Sequence, residues 1–481
     1  MLANMKTGVI VSTLGVFISA FFWLLGFKVI AYWLGPEGVG VFSQLRQIVQ
    51  AATVGATFGG TNSVVQGLSK RSDEDARLAF RATTSRIVGF TGALTAMAIL
   101  VAAPSLALLF LSSTELDAIA ALRWMSLAAL FSIGSTYAIA VLNGYRSYCV
   151  MAVAQIAGTA ALVALLVVFW QIRITPEPRL FAASFILCFG VTWAIGALGV
   201  SRLSKLTSTA SNQSLNKKQT HSFIRFALSN LVAALAVTCS LLVIRSWVIE
   251  SRGLAFAGLF DAGWTLTFNY TTLFLTACSV IYLPLLTATT NNASQKACML
   301  KTAYLVLGAG LLLCNLMVLS KELLINLLYS PQFQDSSRVL LVLVIAVVFR
   351  GVSWVYGTML VATRNSRVLL VSDLAQNLLL LAAARYALDR HESLEALSWA
   401  FVLSSFFYLV FVIEYARFKN PFLKRRLIWP FILLGTLPLS YLAFGAGGLN
   451  EAYGELTKQV CVLVGLLVGA TSLYAGKKMR L

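Results

Sequence analysis

Apolar runs recur along the whole chain, separated by short stretches of Gly, Pro, Asn and charge. They fall near 8–34, 38–68, 78–111, 118–142, 147–171, 180–203, 223–249, 254–288, 297–319, 338–362, 366–388, 394–416, 428–445 and 456–475. At a rise of about 1.5 Å per residue, about 20 residues cross a hydrocarbon core of roughly 30 Å, so each run is long enough for a transmembrane helix. The ten-residue alternation of an outer-membrane barrel is absent from the sequence. The pattern predicts an all-α integral membrane protein of about 14 helices, with 12 or 13 left open because the last two runs are weaker.

The polar interruptions alternate in charge. If the N-terminus is inside, the inner loops and tails hold Lys6, Lys70, Arg71, Arg77, Arg146, Arg202, Lys205, Lys217, Lys218, Arg364, Arg367, Lys424, Arg425, Arg426, Lys477 and Lys478. The outer loops hold Glu115, Asp117, Glu322, Glu392 and Glu451. Positive charge concentrates on the cytoplasmic side of membrane proteins, which predicts two cytoplasmic termini. The first apolar run is too long for a cleaved leader and is read as a retained helix.

The longest polar stretch, TSTASNQSLNKKQTH at 207–221, separates six helices from six. This predicts an N-lobe at 1–206, an inter-lobe loop at 207–222, a C-lobe at 223–420, and two further helices with a basic tail at 421–481. A short internal echo agrees: Lys28 followed by Gly40-Val41-Phe42 resembles Arg245 followed by Gly258-Leu259-Phe260. Both sets begin with a helix running in the same direction, so the repeat would be parallel.

Composition closes off other classes. With 59% hydrophobic residues, 11% charged and a mean hydropathy of +0.82, the chain lacks the charge to cover a soluble surface. The net charge of +19 sits in clusters between apolar runs instead of along one polar face, which argues against nucleic acid. The seven cysteines form no C-x-x-C pair, and the two histidines, His221 and His391, lie in expected loops. Neither a metal centre nor a Ser-His-Asp triad has the material it needs, and no cofactor is expected.

Ionisable groups inside spans carry the functional signal, because each costs about 2.5–3.5 kcal/mol at helix centre and persists only with a partner or a wet cavity. Lys28, Arg46, Arg123, Arg245 and Asp261 all fall ~8–12 Å beneath the expected outer surface. Facing one cavity, they would form a mainly cationic belt suited to an anion such as pyrophosphate. Snorkelling to headgroups is the alternative for Lys28, Arg123 and Arg245. Arg350 is about 18 Å from either end of its span and must face protein or water. Asp373 on the next helix is close enough in sequence for an Arg350–Asp373 bridge, structural or gating.

The segment LGPEGVGVFSQLR at 34–46, with Lys28 before it and FGGTNSVVQGLSKR at 58–71 after it, resembles Wzx-type flippases of O-antigen and enterobacterial common antigen precursors. These belong to the superfamily of multidrug, oligosaccharidyl-lipid and polysaccharide exporters. The matching features are a basic residue (Lys28), a G-P-x-G-x-G turn (Gly35 to Gly40) and Arg46-Gln47, with SVIYLPLLT at 279–287 and Arg245 as further likenesses. The resemblance implies two lobes around a central cavity and alternating access. It also implies an undecaprenyl-pyrophosphate-linked oligosaccharide carried from the cytoplasmic to the periplasmic leaflet of a bacterial inner membrane. Lys28, Arg46, Arg123, Arg245 and Arg350 would bind substrate, and Asp261 and Asp373 would couple an ion or gate. Membrane lipids are expected partners, with a polysaccharide polymerase and a chain-length regulator as candidates. A MATE-like small-molecule exporter is the first alternative. A membrane polymerase or glycosyltransferase is the second, disfavoured because the longest outer loop, about 320–337, is too short for a catalytic domain.

Overall fold

The computed structural model describes residues 2–59, 62–69, 74–174, 177–205, 217–269, 271–272, 274–275, 278, 282, 286, 292–362, 366–391, 393–419, 428–445 and 451–478. Residues 206–216, which include most of the expected inter-lobe loop at 207–222, most of the 279–287 segment, Glu392, Arg364 and residues 424–426 lie outside the described residues. The described residues are helical with no strand, and they form two compact units, 1–258 and 259–481. Among the described residues, eleven helices are long and apolar enough to cross a membrane, and a shorter apolar helix spans Ile428–Ala443.

In the first unit, α1 (Leu2–Ala56), α2 (Asn62–Ser69), α3 (Glu74–Leu111), α4 (Leu116–Gly144), α5 (Tyr148–Gln171) and α6 (Pro178–Lys205) precede the long α7 (Lys217–Trp264). Helix α1 is two limbs. Gly35 breaks it at φ 63°, ψ −157°, a conformation that only glycine adopts without strain. Nineteen residues of straight helix would separate Phe27 from Arg46 by about 28 Å. Instead the Arg46 guanidinium carbon is 4.9 Å from the centre of the Phe27 ring, so the limbs fold back as a hairpin. Helix α7 carries the same break at Gly253, φ 85°, ψ 173°. Each glycine break thus divides one long helix into two limbs, as the separate apolar runs on either side of it predict.

One expected span is shorter than its apolar run. The second limb of α1 ends at Ala56, not near 68, because Phe58 and Gly59 take left-handed backbone and close the helix. Gly59 N–H donates to Val54 O at 2.9 Å and Phe58 N–H to Gly55 O at 3.3 Å, the pairing that satisfies a helix's last carbonyls. The remainder of the run forms α2, which lays Val64 and Leu68 against Phe80, Ala140 and Val141.

Ion pairs identify which helix ends lie together. Arg179 at the start of α6 reaches Asp117 at the start of α4 at 3.0 Å. At the opposite ends, Arg77 near the start of α3 stacks 5.9 Å from the ring centre of Tyr145, just past α4. Helices α4 and α6 therefore run in the same direction and α3 runs opposite to α4.

The second unit continues through a π-helical turn at Thr265–Asn269. It then comprises α8 (Asn292–Leu319), the short α9 (Lys321–Leu328), α10 (Ser336–Ala362), α11 (Ser366–Arg390), α12 (Leu394–Lys419), α13 (Ile428–Gly445) and α14 (Glu451–Lys478). Helix α10 is the hub. Every residue from Val339 to Phe349 is buried, under α8, α12 and α13. Helix α12 packs extensively on both α10 and α11, whereas α10 and α11 meet only briefly.

Candidate functional site

In the first unit the polar chemistry gathers on the second limb of α1, at Ser43-Gln44-Leu45-Arg46-Gln47. Ser43, Gln44 and Gln47 are buried within a span, so each polar group needs a partner. Gln44 Nε2 donates to Phe110 O at 3.0 Å, and Ser246 Oγ donates to Leu109 O. Both acceptors lie in the last turn of α3, where carbonyls have no partner within the helix. Gln47 Nε2 donates to Thr238 O on α7 at 3.2 Å. Arg245, only 6% exposed, donates from Nη1 to Ser43 O at 3.3 Å. These bonds tie α1, α3 and α7 together near the C-terminal end of α3.

Arg46 lies over an aromatic floor. Its guanidinium carbon is 4.9 Å from the Phe27 ring centre and 5.8 Å from that of Trp23. Phe42 meets Phe27 edge-on at 5.3 Å and stacks on Phe185 of α6 at 4.6 Å, so the floor is fixed from two sides. Cation–π contact in a desolvated setting is worth about 2 kcal/mol, which helps hold the charge in the span while leaving its outer edge half-exposed. Lys28, the residue after Phe27, is half-buried and makes no hydrogen bond or ion pair among the described residues. Arg123 is exposed on α4, beside exposed Trp124 and Leu127. The structure thus brings Arg46 and Arg245 onto one five-residue segment, places Lys28 beside the ring that carries Arg46, and sets Arg123 on an exposed face.

The acidic residues of this unit are Glu37, Asp73, Glu74, Asp75, Glu115, Asp117, Glu177 and Glu250. Asp73 lies outside the described residues, and the others lie at helix ends, in loops or beside the two glycine breaks. Among the described residues, every group deeper in its spans that carries a charge at neutral pH is a Lys or an Arg.

The second unit differs. Asp261 is 1% exposed, on the limb that runs into the π-helical turn, a distortion frequent at functional sites. Below it Trp264 and Phe268 stack at 4.0 Å, with Phe401 4.7 Å from Trp264. Arg350 lies 5.6 Å from the centre of the Phe268 ring. The Asp373 carboxylate accepts a hydrogen bond from the Tyr408 hydroxyl of α12, with Arg350 in electrostatic range of both. A direct Arg350–Asp373 bridge, expected from sequence, is absent among the described residues. The reason is packing order: α12 separates α10 from α11, and its Tyr408 takes the carboxylate.

Sequence reasoning named Gln47 only as part of a resemblance and missed Gln44, Ser246, the Trp23/Phe27 floor and Tyr408. Two glutamines flanking an arginine in an apolar run, and aromatics four residues apart on the facing limb, were the available signals.

No known protein-family profile matches the chain. It is 22% identical over 382 residues to proteins described as "Lipid III flippase" from Escherichia coli (strain K12) and from Shigella flexneri, covering 78% of this chain and 89% of each relative. In structure it resembles an inward-facing multidrug resistance MATE transporter of the MOP superfamily, with a TM-score of 0.68 at 13% identity over 86% of this chain and 96% of that one. It also resembles the lipid II flippase MurJ in an inward closed conformation, with a TM-score of 0.68 at 13% identity over 98% of this chain and 100% of that one. The chain is therefore a multi-pass membrane protein with the transporter fold shared by MATE proteins and MurJ.

Proposed function

We propose that this chain is a carrier, not an enzyme. It moves an undecaprenyl-pyrophosphate-linked oligosaccharide, a repeat unit of O-antigen or a related polysaccharide, from the cytoplasmic to the periplasmic leaflet of a bacterial inner membrane. The observation that carries this reading is the one-signed charge deep in the first unit: Lys28, Arg46 and Arg245 lie within limbs whose only carboxylates, Glu37 and Glu250, sit beside the glycine breaks. A cation in a low-dielectric span needs a counter-charge, and a pyrophosphate supplies at least two. A carrier of cationic drugs would need the opposite sign. The flippase descriptions of the sequence relatives support the lipid-linked class.

Lys28 is the ligand group with the least competition from the protein. Arg46 offers a planar fork whose rear face is held by Phe27 and Trp23, which pre-orients its donors. In the second unit, Asp261 and Asp373 are the deep carboxylates available to couple transport to an ion gradient, and the Tyr408 bond to Asp373 would exchange as that carboxylate is occupied. Arg350, close to Asp373 and Tyr408, links that group to the aromatic stack.

Complementation of a strain lacking its polysaccharide flippase, with membrane abundance of the protein measured alongside, tests the reading. Lys28→Ala, Arg46→Ala and Arg245→Ala should each cut surface polysaccharide at unchanged abundance, and Lys28→Arg should retain part of it. Normal polysaccharide in all three Ala variants removes the anionic-substrate reading in favour of headgroup anchoring.

A further inference from the structure

At the opposite end of the first unit from Gln44 and Arg245, a second basic group surrounds Tyr145. Helix α4 ends at Gly144, and the Tyr145 ring packs on the Val64, Leu68 and Phe80 cluster under α2, which fixes its position. Arg77 of α3 stacks over that ring and is ion-paired with Glu74 at 3.3 Å. Arg81, one turn further along α3, is also in electrostatic range of the Tyr145 hydroxyl, and its own carbonyl accepts from Tyr137 at 2.8 Å.

Two buried donors are left over. Arg81 Nη1 and the Tyr145 hydroxyl are each shielded from solvent, and neither has a hydrogen-bond partner among the described residues. A buried donor left unmet forfeits its hydration with nothing in return, more so when it is charged, so two in electrostatic range of one another point to a missing acceptor. Burial, and after it Glu74, holds the Tyr145 hydroxyl above its ordinary range against the pull of Arg81 and Arg77, so it is a neutral donor at physiological pH. Arg81 as a whole is only half-buried, which leaves a route to it. Glu74, the carboxylate that acts on the Tyr145 hydroxyl, is held by Arg77.

We propose that Arg81 and Tyr145, with Arg77 beside them, form an anion site for a phosphate group carried by a lipid, distinct from the Lys28–Arg46–Arg245 group and independent of the transport reading. A phosphate or pyrophosphate oxygen placed between Arg81 Nη1 and the Tyr145 hydroxyl would accept from both, and the guanidinium supplies its counter-charge. Two sources share this chemistry, an anionic phospholipid of the bilayer and the pyrophosphate of a prenyl carrier.

The test uses the full-length protein in phosphatidylcholine nanodiscs, titrated separately with phosphatidylglycerol and with farnesyl pyrophosphate, in a Lys28→Ala background so that the other cationic group is weakened. Adding Arg81→Gln and Tyr145→Phe together should weaken binding of one probe by about tenfold or more. Loss for phosphatidylglycerol identifies a bilayer lipid as the ligand, and loss for farnesyl pyrophosphate identifies a prenyl carrier. Tyr145→Phe alone removes a single oxygen and keeps the packed ring, so a loss of several-fold is expected even if the double variant is poorly folded. Unchanged affinity for both probes in Tyr145→Phe and in a monodisperse double variant overturns the proposal.

Discussion

Gly40 and Gly258 meet backbone to backbone, each five residues past a glycine break. A Cβ on Gly40 would strike the carbonyl oxygen of Leu254, and one on Gly258 would strike that of Pro36 and come within 3.0 Å of the Gly40 nitrogen. Arg245 and Gly258 would be about 20 Å apart in a straight helix, yet they contact α1 at Ser43 and Gly40, so α7 turns back at Gly253 as α1 does at Gly35. The faint repeat of Lys28/Arg245 and Gly40/Gly258 is therefore a repeat of a hairpin, and its glycines are the point of contact.

This contact makes a stability prediction. Gly258→Ala and Gly40→Ala should each force the limbs apart and destabilise the folded protein by about 1–3 kcal/mol or more. Gly310→Ala, where a Cβ meets nothing within 4 Å, should be silent. Thermal unfolding in detergent checks the comparison, and equal midpoints for all three would refute the close approach.

Gly35→Ala tests the break itself. An alanine at φ 63°, ψ −157° costs of order 1–3 kcal/mol, so membrane abundance should fall even though no contact is lost. The effect should be absent at Gly55, which lies within the helix and is open to a Cβ.

Much of this was readable in the sequence. The runs at 428–445 and 394–416 match α13 and α12 closely because Pro, Gly and charge end an apolar helix sharply. The run to 68 misled because Phe58-Gly59 ends the helix through backbone conformation while hydropathy stays high. Helix rise sets an expected depth for Lys28, Arg46, Arg123 and Arg245 but says nothing of direction around the helix. Arg245 is buried and Arg123 exposed because packing, not spacing, sets rotation. Arg350 and Asp373 are neighbours in sequence order, yet α12 stands between their helices, and only tertiary structure reveals that.

Arg46 should depend on its aromatic floor. Phe27→Leu keeps the volume apolar while removing the ring face, and should cost about 1–2 kcal/mol of stability or a comparable loss of transport. In Arg46→Ala the same Phe27→Leu change should cost much less. Equal costs in the two backgrounds, measured as a double-mutant cycle, would mean that the 4.9 Å contact carries no energy.

Asp373 should couple to Tyr408 and not directly to Arg350. Tyr408→Phe and Asp373→Asn should be strongly non-additive, since a hydrogen bond to a carboxylate is worth about 1.5–3 kcal/mol. The charge-swapped pair Arg350→Asp with Asp373→Arg should rescue nothing. Recovery of transport in the swap would show a direct bridge in the working protein.

The central claim is that cations in the first unit carry a pyrophosphate-linked lipid across the bilayer, and reconstitution tests it most directly. Purified protein in proteoliposomes is given a fluorescent undecaprenyl-pyrophosphate-linked sugar, and the fraction reaching the far leaflet is read by quenching from one side. The account predicts protein-dependent translocation, loss of most of it in Lys28→Ala and Arg46→Ala, and no translocation of a cationic dye. Translocation of the dye without the lipid-linked sugar, or sugar-lipid transfer undiminished in both variants, would contradict it.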